Sequence, residues 1–246
     1  MRKVALVALA RPTFDLAYAE RNFAGAKALL EDIGAKVVGP ANLIMTPEDV
    51  AAVNLEDADL YILLTASFSD ASPAVQLLSN VKGPILGWSM REPGENGERL
   101  KLNSMCGINL AAHALMDNGQ QLRHLHGNFD EPQVKKLLIE AINGNLPGAV
   151  TPASKHGEFG SIENYQIAKE KLSKMKIGAI GDAPNGFTPC VYDEEQLKRI
   201  FGIKTIKIPV TNAFDRINSV KEEEKVLAHS GAVAAQPSLS KVNEEQ

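Results

Sequence analysis

The 246 residues are 44% hydrophobic and 23% charged, enough apolar material for one large domain or two of ordinary size. A formal net charge of −4 excludes a surface built to neutralise nucleic-acid phosphates and offers nothing to an acidic membrane. No apolar run reaches the roughly 20 residues of a spanning helix, and the first apolar stretch lacks a signal-peptide design, so a cytoplasmic protein is expected.

Short β-type runs alternate with helical ones, the pattern of parallel sheets covered by helices. A buried strand over 4–9 is followed by a helix over 17–33, apolar at Phe23, Ala26, Leu29, Leu30 and Ile33, which Gly34 ends. A short strand over 35–38 precedes Thr46-Pro47-Glu48-Asp49, a capping threonine with proline and acids in the first turn. A strand over 60–64 and a helix opened by Ser72-Pro73 come next, then a strand over 84–88. The helix predicted over 103–118 has a face of small residues, Gly107, Ala111, Ala112 and Ala114, able to approach a sheet or another subunit closely. A weak strand over 122–126 and a helix over 131–143 complete a first unit.

A loose stretch with Pro147 and Pro152 marks the expected boundary, giving a first Rossmann-like domain over 1–155 and a second over 156–246. The second starts again with a helix over 162–174, a strand over 176–180, a helix over 193–201 and a strand over 205–210. Asp193 and Gln196 have capping-box spacing, and Gly202 closes that helix. The run KEEEK over 221–225 reads as a solvated helix face. Two strands do not make a stable sheet, so the fold class expected is α/β with two Rossmann-like parallel-sheet units, the second incomplete. Asn243 and Gln246 repeat a helix-capping spacing at the end of the chain, which suggests truncation.

Candidate chemistry lies where strands end. The loop IGAIGDAPNGFTPC over 177–190 misses the dinucleotide glycine fingerprint and carries no Walker lysine, so locally it reads as a wide turn. After the first strand, Arg11 can fork onto a carboxylate, a phosphate or sugar hydroxyls, or else pair with Asp15 at a helix start. The hydroxyl-rich run TASFSD over 65–70 can bind a polyol or cap a helix. Trp88 can stack on a sugar or fill the core. His124 and His126 share one side of a strand and read as surface or interface residues, and His113 as packed. Cys106 and Cys190 have no zinc spacing. No Ser-His-Asp order, HExxH or close carboxylate pair stands out.

Four segments in order, LARPTFD at 9–15, LLTASFSD at 63–70, NSMCGINLAAHAL at 103–115 and GDAPNGFTPCVYDEEQLKRIFGI at 181–203, resemble the L-fucose isomerase-like family of metal-dependent sugar (ketol) isomerases. The resemblance implies an aldose–ketose interconversion through a cis-enediol, with a divalent ion, usually Mn²⁺, bridging two substrate oxygens. It implies that Arg11 and Trp88 contact the sugar. Asp15, Ser67, Asp70, Asn103, Cys106, Asn109, Asp182 and Phe187 become loop or interface candidates, with the 103–113 helix near a subunit contact. The family's glutamate, aspartate and histidine ligands follow the region matched, so no metal ligand is carried over to this chain. The expectation is therefore an N-terminal portion, working as a homo-oligomer or with a partner that supplies a C-terminal half. The alternative is a non-catalytic sugar- or effector-binding module.

Overall fold

The computed structural model describes residues 1–95, 98–148 and 161–241. The chain divides into two compact units, one holding Met1–Phe159 and Ala183–Tyr192, the other Gly160–Asp182 and Asp193–Gln246. The sequence boundary at 155/156 and the capping signal at Asn243 lie outside the described residues.

The first unit alternates β1 (Lys3–Leu9), α1 (Leu16–Asp32), β2 (Lys36–Val38), α2 (Pro47–Ala52), β3 (Leu60–Thr65), α3 (Ser72–Leu78), β4 (Ile85–Ser89), α4 (Ser104–Asp117), β5 (Leu122–His126) and α5 (Pro132–Ile142). Its strands form one sheet in the order β2-β1-β3-β4-β5, every pair parallel. This is a doubly wound, Rossmann-like arrangement in which the strand order reverses beside β1.

The two-residue period of a strand explains how the apolar run of β1 serves two cores. Val4, Leu6 and Ala8 face Ala26 and Leu30 of α1 and Leu138 of α5. Ala5, Val7 and Leu9 face Leu78 of α3 and Ala111 and Leu115 of α4. Gly87 in β4 admits α4 this closely, because a Cβ there would fall 2.7 Å from both Ile108 Cδ1 and Leu122 Cδ2. Trp88 is fully buried, and its indole N–H donates to the Gly127 carbonyl at 2.8 Å.

Helix starts follow local chemistry. Thr46 and Asp49 form the reciprocal capping box. At α3 the structure corrects the sequence: Ala71, not Ser72, holds the N-cap position, and Asp70 Oδ1 accepts the Ser72 N–H at 2.9 Å. Asp70, two residues earlier, thus meets one of the free N–H groups of the first turn.

The second unit contains α6 (Ile162–Ser173), β6 (Lys176–Ile180), α7 (Glu194–Phe201), β7 (Lys204–Ile208), α8 (Val210–Asn218) and α9 (Glu222–Ala235). The β6–β7 pair is parallel. Asp193 caps α7 through the Gln196 N–H, and Gly202 ends it at φ 74°. The strand expected over 205–210 stops at Ile208, because Pro209 begins α8. That helix was legible in Val210, Phe214 and Ile217, spaced four and three residues apart. Among the described residues, only Ile203 of this unit is buried, while Ile180 is 60% and Ile206 48% exposed. No helix of the chain's described residues is long and apolar enough to cross a membrane.

Asn22 lies on the core side of α1, and its buried Nδ2 has no hydrogen-bond partner among the described residues. A buried unmet donor costs about 1–3 kcal/mol. Asn22→Leu is therefore expected to raise stability by about 1 kcal/mol. The check is the urea midpoint, and a lowered midpoint would mean that the amide is paired.

Candidate functional site

The strand order reverses between β1 and β3, the point at whose carboxyl ends open α/β sheets hold their ligands. The Arg11 backbone N–H donates to Ser67 Oγ at 3.1 Å, tying the two loops together. The Arg11 guanidinium sits over the Phe68 ring, 5.6 Å from its centroid. Stacking of this kind holds the cation's plane while leaving its edge N–H groups free to donate.

Phe68 is the hub of a small aromatic cluster, with Phe14 at 5.6 Å and Phe187 at 5.8 Å between ring centroids. Phe187 comes from the segment Ala183–Tyr192, which packs in the first unit although it follows β6 in the chain. The Ala71 N–H donates to the Gly186 carbonyl at 3.1 Å, and His113 Nδ1 lies 2.8 Å from Thr188 Oγ1. Gly186 has φ 77°, and a Cβ there would sit 2.4 Å from Asp70 Oδ1, so this position requires glycine. His113 is exposed rather than packed inside, and Asp117 Oδ2 lies 3.4 Å from its Nδ1.

The structure thus gathers Arg11, Ser67, Asp70 and Phe187 at one place. Asp15 stands at the edge of this group. Its carboxylate caps α1 by accepting the Tyr18 N–H at 3.1 Å. Asn103 precedes α4 in the left-handed conformation, φ 50°. Cys106 and Asn109 are exposed on α4, whereas Gly107, Ala111 and Ala114 of the small-residue face are buried. Gly107 lets the helix reach the loop after β3, with a virtual Cβ only 3.1 Å from the Ser69 nitrogen. Trp88 belongs to the core and shows no surface to a ligand. Asp182 is exposed and belongs to the other unit, beyond the end of β6.

Several organising residues carry no motif. Ser104 Oγ donates to the Thr65 carbonyl at 2.5 Å and accepts the Met90 N–H at 2.8 Å. Glu92 accepts the backbone N–H groups of Lys101, Leu102 and Asn103. Ser89 is the point on which His124 Nε2 and His126 Nδ1 converge, each 2.9 Å from its Oγ. The pairing register places Ser89 opposite His126 and Gly87 opposite His124, which only the sheet could reveal. Beside them, Arg91 makes two hydrogen bonds to Glu131, at 2.7 and 3.0 Å.

Among the described residues there is no group of three or more His, Cys, Asp and Glu side chains able to hold a metal ion. The Mn²⁺ implied by the sequence resemblance therefore finds no fitting donor set among them.

No protein-family model matches the chain. It is similar to proteins named sulfoquinovose isomerase. The one from Priestia megaterium (strain ATCC 12872 / QMB1551) is 26% identical over 225 residues, covering 90% of this chain and 46% of that protein. The one from Alkalicoccus urumqiensis is 29% identical over 188 residues, 75% of this chain and 37% of the relative. The one from Clostridium sp. (strain MSTE9) is 27% identical over 224 residues, 90% and 45%. The chain spans about half the length, or less, of these relatives. Their name is that of a sugar isomerase, as the four motifs imply, although the sugar it names is not L-fucose.

Both histidines of the Ser89 cluster are held below the ordinary imidazole range. Loss of water around the ring does most of this for His124, with His126 adding to it. For His126 loss of water again leads, then the Arg91 charge, with Glu131 opposing. An unfolded chain protonates histidine near pH 6.5, and the folded chain does so lower, so the unfolded state binds more protons in between. Stability is therefore complete above about pH 6.5 and falls as pH drops through the window below it. Urea midpoints at pH 7.5, 6.5 and 5.5 should decline, and the double variant His124→Gln/His126→Gln should flatten that decline. An equal decline in the double variant would show that other groups cause it.

Proposed function

We propose that this chain takes part in the aldose–ketose isomerisation of a sugar, in the manner of the L-fucose isomerase-like enzymes, and that the sugar is held at the strand ends where the order reverses, beside Arg11. The observation that carries this reading is the similarity to sulfoquinovose isomerases over 90% of the chain. It is supported by the placement of Arg11 at the strand-order reversal, stacked on Phe68. A guanidinium fixed in that way can present paired N–H donors to vicinal sugar oxygens or to an anionic substituent.

The reaction moves a proton between C1 and C2 through a cis-enediol, and a divalent ion would supply charge stabilisation when bound. The role assigned to this chain is to bind and orient the substrate. Proton transfer and metal ligation are assigned to a partner that supplies a C-terminal half, and a second copy of the chain is assigned only a place beside the sugar. The exposed apolar side chains of β6, β7 and α8 favour such a partner, since faces of this kind are normally covered. Sulfoquinovose is the first sugar to test, ahead of L-fucose and L-arabinose, and a cytoplasmic setting is part of the same proposal.

A second reading, a non-catalytic sugar- or effector-binding module, is favoured by the lack of a metal-holding group among the described residues. Calorimetric titration of the purified chain with the three sugars, with and without Mn²⁺, separates the two. Sulfoquinovose binding that weakens by about tenfold or more in Arg11→Ala is expected, the loss of a charge-assisted hydrogen bond. An NMR assay of aldose loss should show turnover only when the remaining half is added. Tight binding that is indifferent to Mn²⁺, with no turnover in either case, would favour the module.

A further inference from the structure

We infer that Glu92 is the positioning residue of the candidate site, a single carboxylate that fixes the loops after β1 and β3 relative to each other. It acts through residues 101–103, a strap without regular secondary structure just before α4. One oxygen of Glu92 accepts the N–H groups of Lys101 and Leu102, the second at 3.0 Å, and the other oxygen accepts that of Asn103 at 2.7 Å. The carbonyls of the same strap receive the two loops. Lys101 accepts the Asp15 N–H at 2.9 Å, and Leu102 accepts the Phe68 N–H at 2.7 Å.

Each partner has a distinct consequence. Asp15 carries the α1 cap, so the Lys101 bond sets where the β1 loop ends. Phe68 carries the Arg11 guanidinium on its face, so the Leu102 bond sets the height of that cation above the strand ends. Leu102 is itself buried at 1% exposure and anchors the strap in depth. The carboxylate sets its orientation by gathering consecutive donors on one side, so that the carbonyls point to the other loops. Asn103 is the only non-glycine residue at positive φ among the described residues, and its bond to Glu92 offsets the cost of that conformation.

Because Glu92 is exposed, water can take over the freed N–H groups when it is removed. The global fold should therefore hold while the strap loses its orientation, which separates positioning from stability. The sugar-binding part of the inference rests on the function proposed above.

The test compares Glu92→Ala and Glu92→Gln with the parent chain by NMR-detected hydrogen exchange and by sulfoquinovose titration. In Glu92→Ala the amides of Phe68 and Asp15 should exchange about tenfold faster or more, those of β1 and β3 should be unchanged, and sulfoquinovose should bind about tenfold more weakly. Glu92→Gln should be intermediate, because its amide oxygen can keep Lys101 and Leu102 while its NH₂ faces the Asn103 donor. Unchanged exchange at Phe68 and Asp15 would overturn the inference. So would a uniform rise across the strands, which marks plain destabilisation. If the parent chain binds no sulfoquinovose, the proposed function fails while the exchange data still decide the role of Glu92.

Discussion

Thr65 ends β3 inside a core that excludes water, so its hydroxyl and carbonyl must find partners within the protein. They find them on Ser104: the Thr65 hydroxyl lies 3.0 Å from the Ser104 carbonyl, which accepts it, and the Ser104 hydroxyl donates back to the Thr65 carbonyl. Leaving such a group unmet costs about 1–3 kcal/mol, comparable to a substantial share of a domain's net stability. This reciprocal pair fixes where α4 begins. It therefore fixes how far Gly107 advances on the β3 loop and where the preceding strap lies. The Thr65–Ser104 pair thus sets the depth of the strap, and Glu92 sets its orientation.

The two units differ in how well they satisfy the hydrophobic effect. In the first, helices cover both faces of a sheet whose central strands are buried along their length. In the second, two parallel strands and their helices leave most apolar side chains in contact with solvent. A parallel pair normally survives only when both faces are covered. The sugar isomerases to which the chain is similar are about twice its length.

Much of this arrangement was legible in the residues. The central strands β1, β3 and β4 announced themselves as apolar runs, since a strand buried on both sides has no polar face to interrupt the pattern, whereas β5 gave only a weak signal. Thr46 and Asp193 marked helix starts because a capping oxygen acts within a turn of its own position. What stayed hidden depends on pairing across the chain. Nothing local to Glu92 tells that three donors about ten residues later converge on it. Likewise the meeting of Ser89 with two histidines follows from strand register alone. Trp88 illustrates an open choice: its position at a strand end suited either stacking or burial, and the neighbouring Gly127 carbonyl supplies the acceptor that lets the indole sit inside.

The segment Ala183–Tyr192 leaves one unit, packs in the other and returns. Threading of this sort makes the first unit discontinuous in sequence, so its surface is not encoded by one uninterrupted stretch. A protein ending near Gly148 would keep the sheet and lose Phe187 from the face of Phe68, the Gly186 acceptor from Ala71 and Thr188 from His113. The aromatic support beneath Arg11 would then be open to water on one side. No single cut in the chain therefore separates the two units while leaving the face of Phe68 covered.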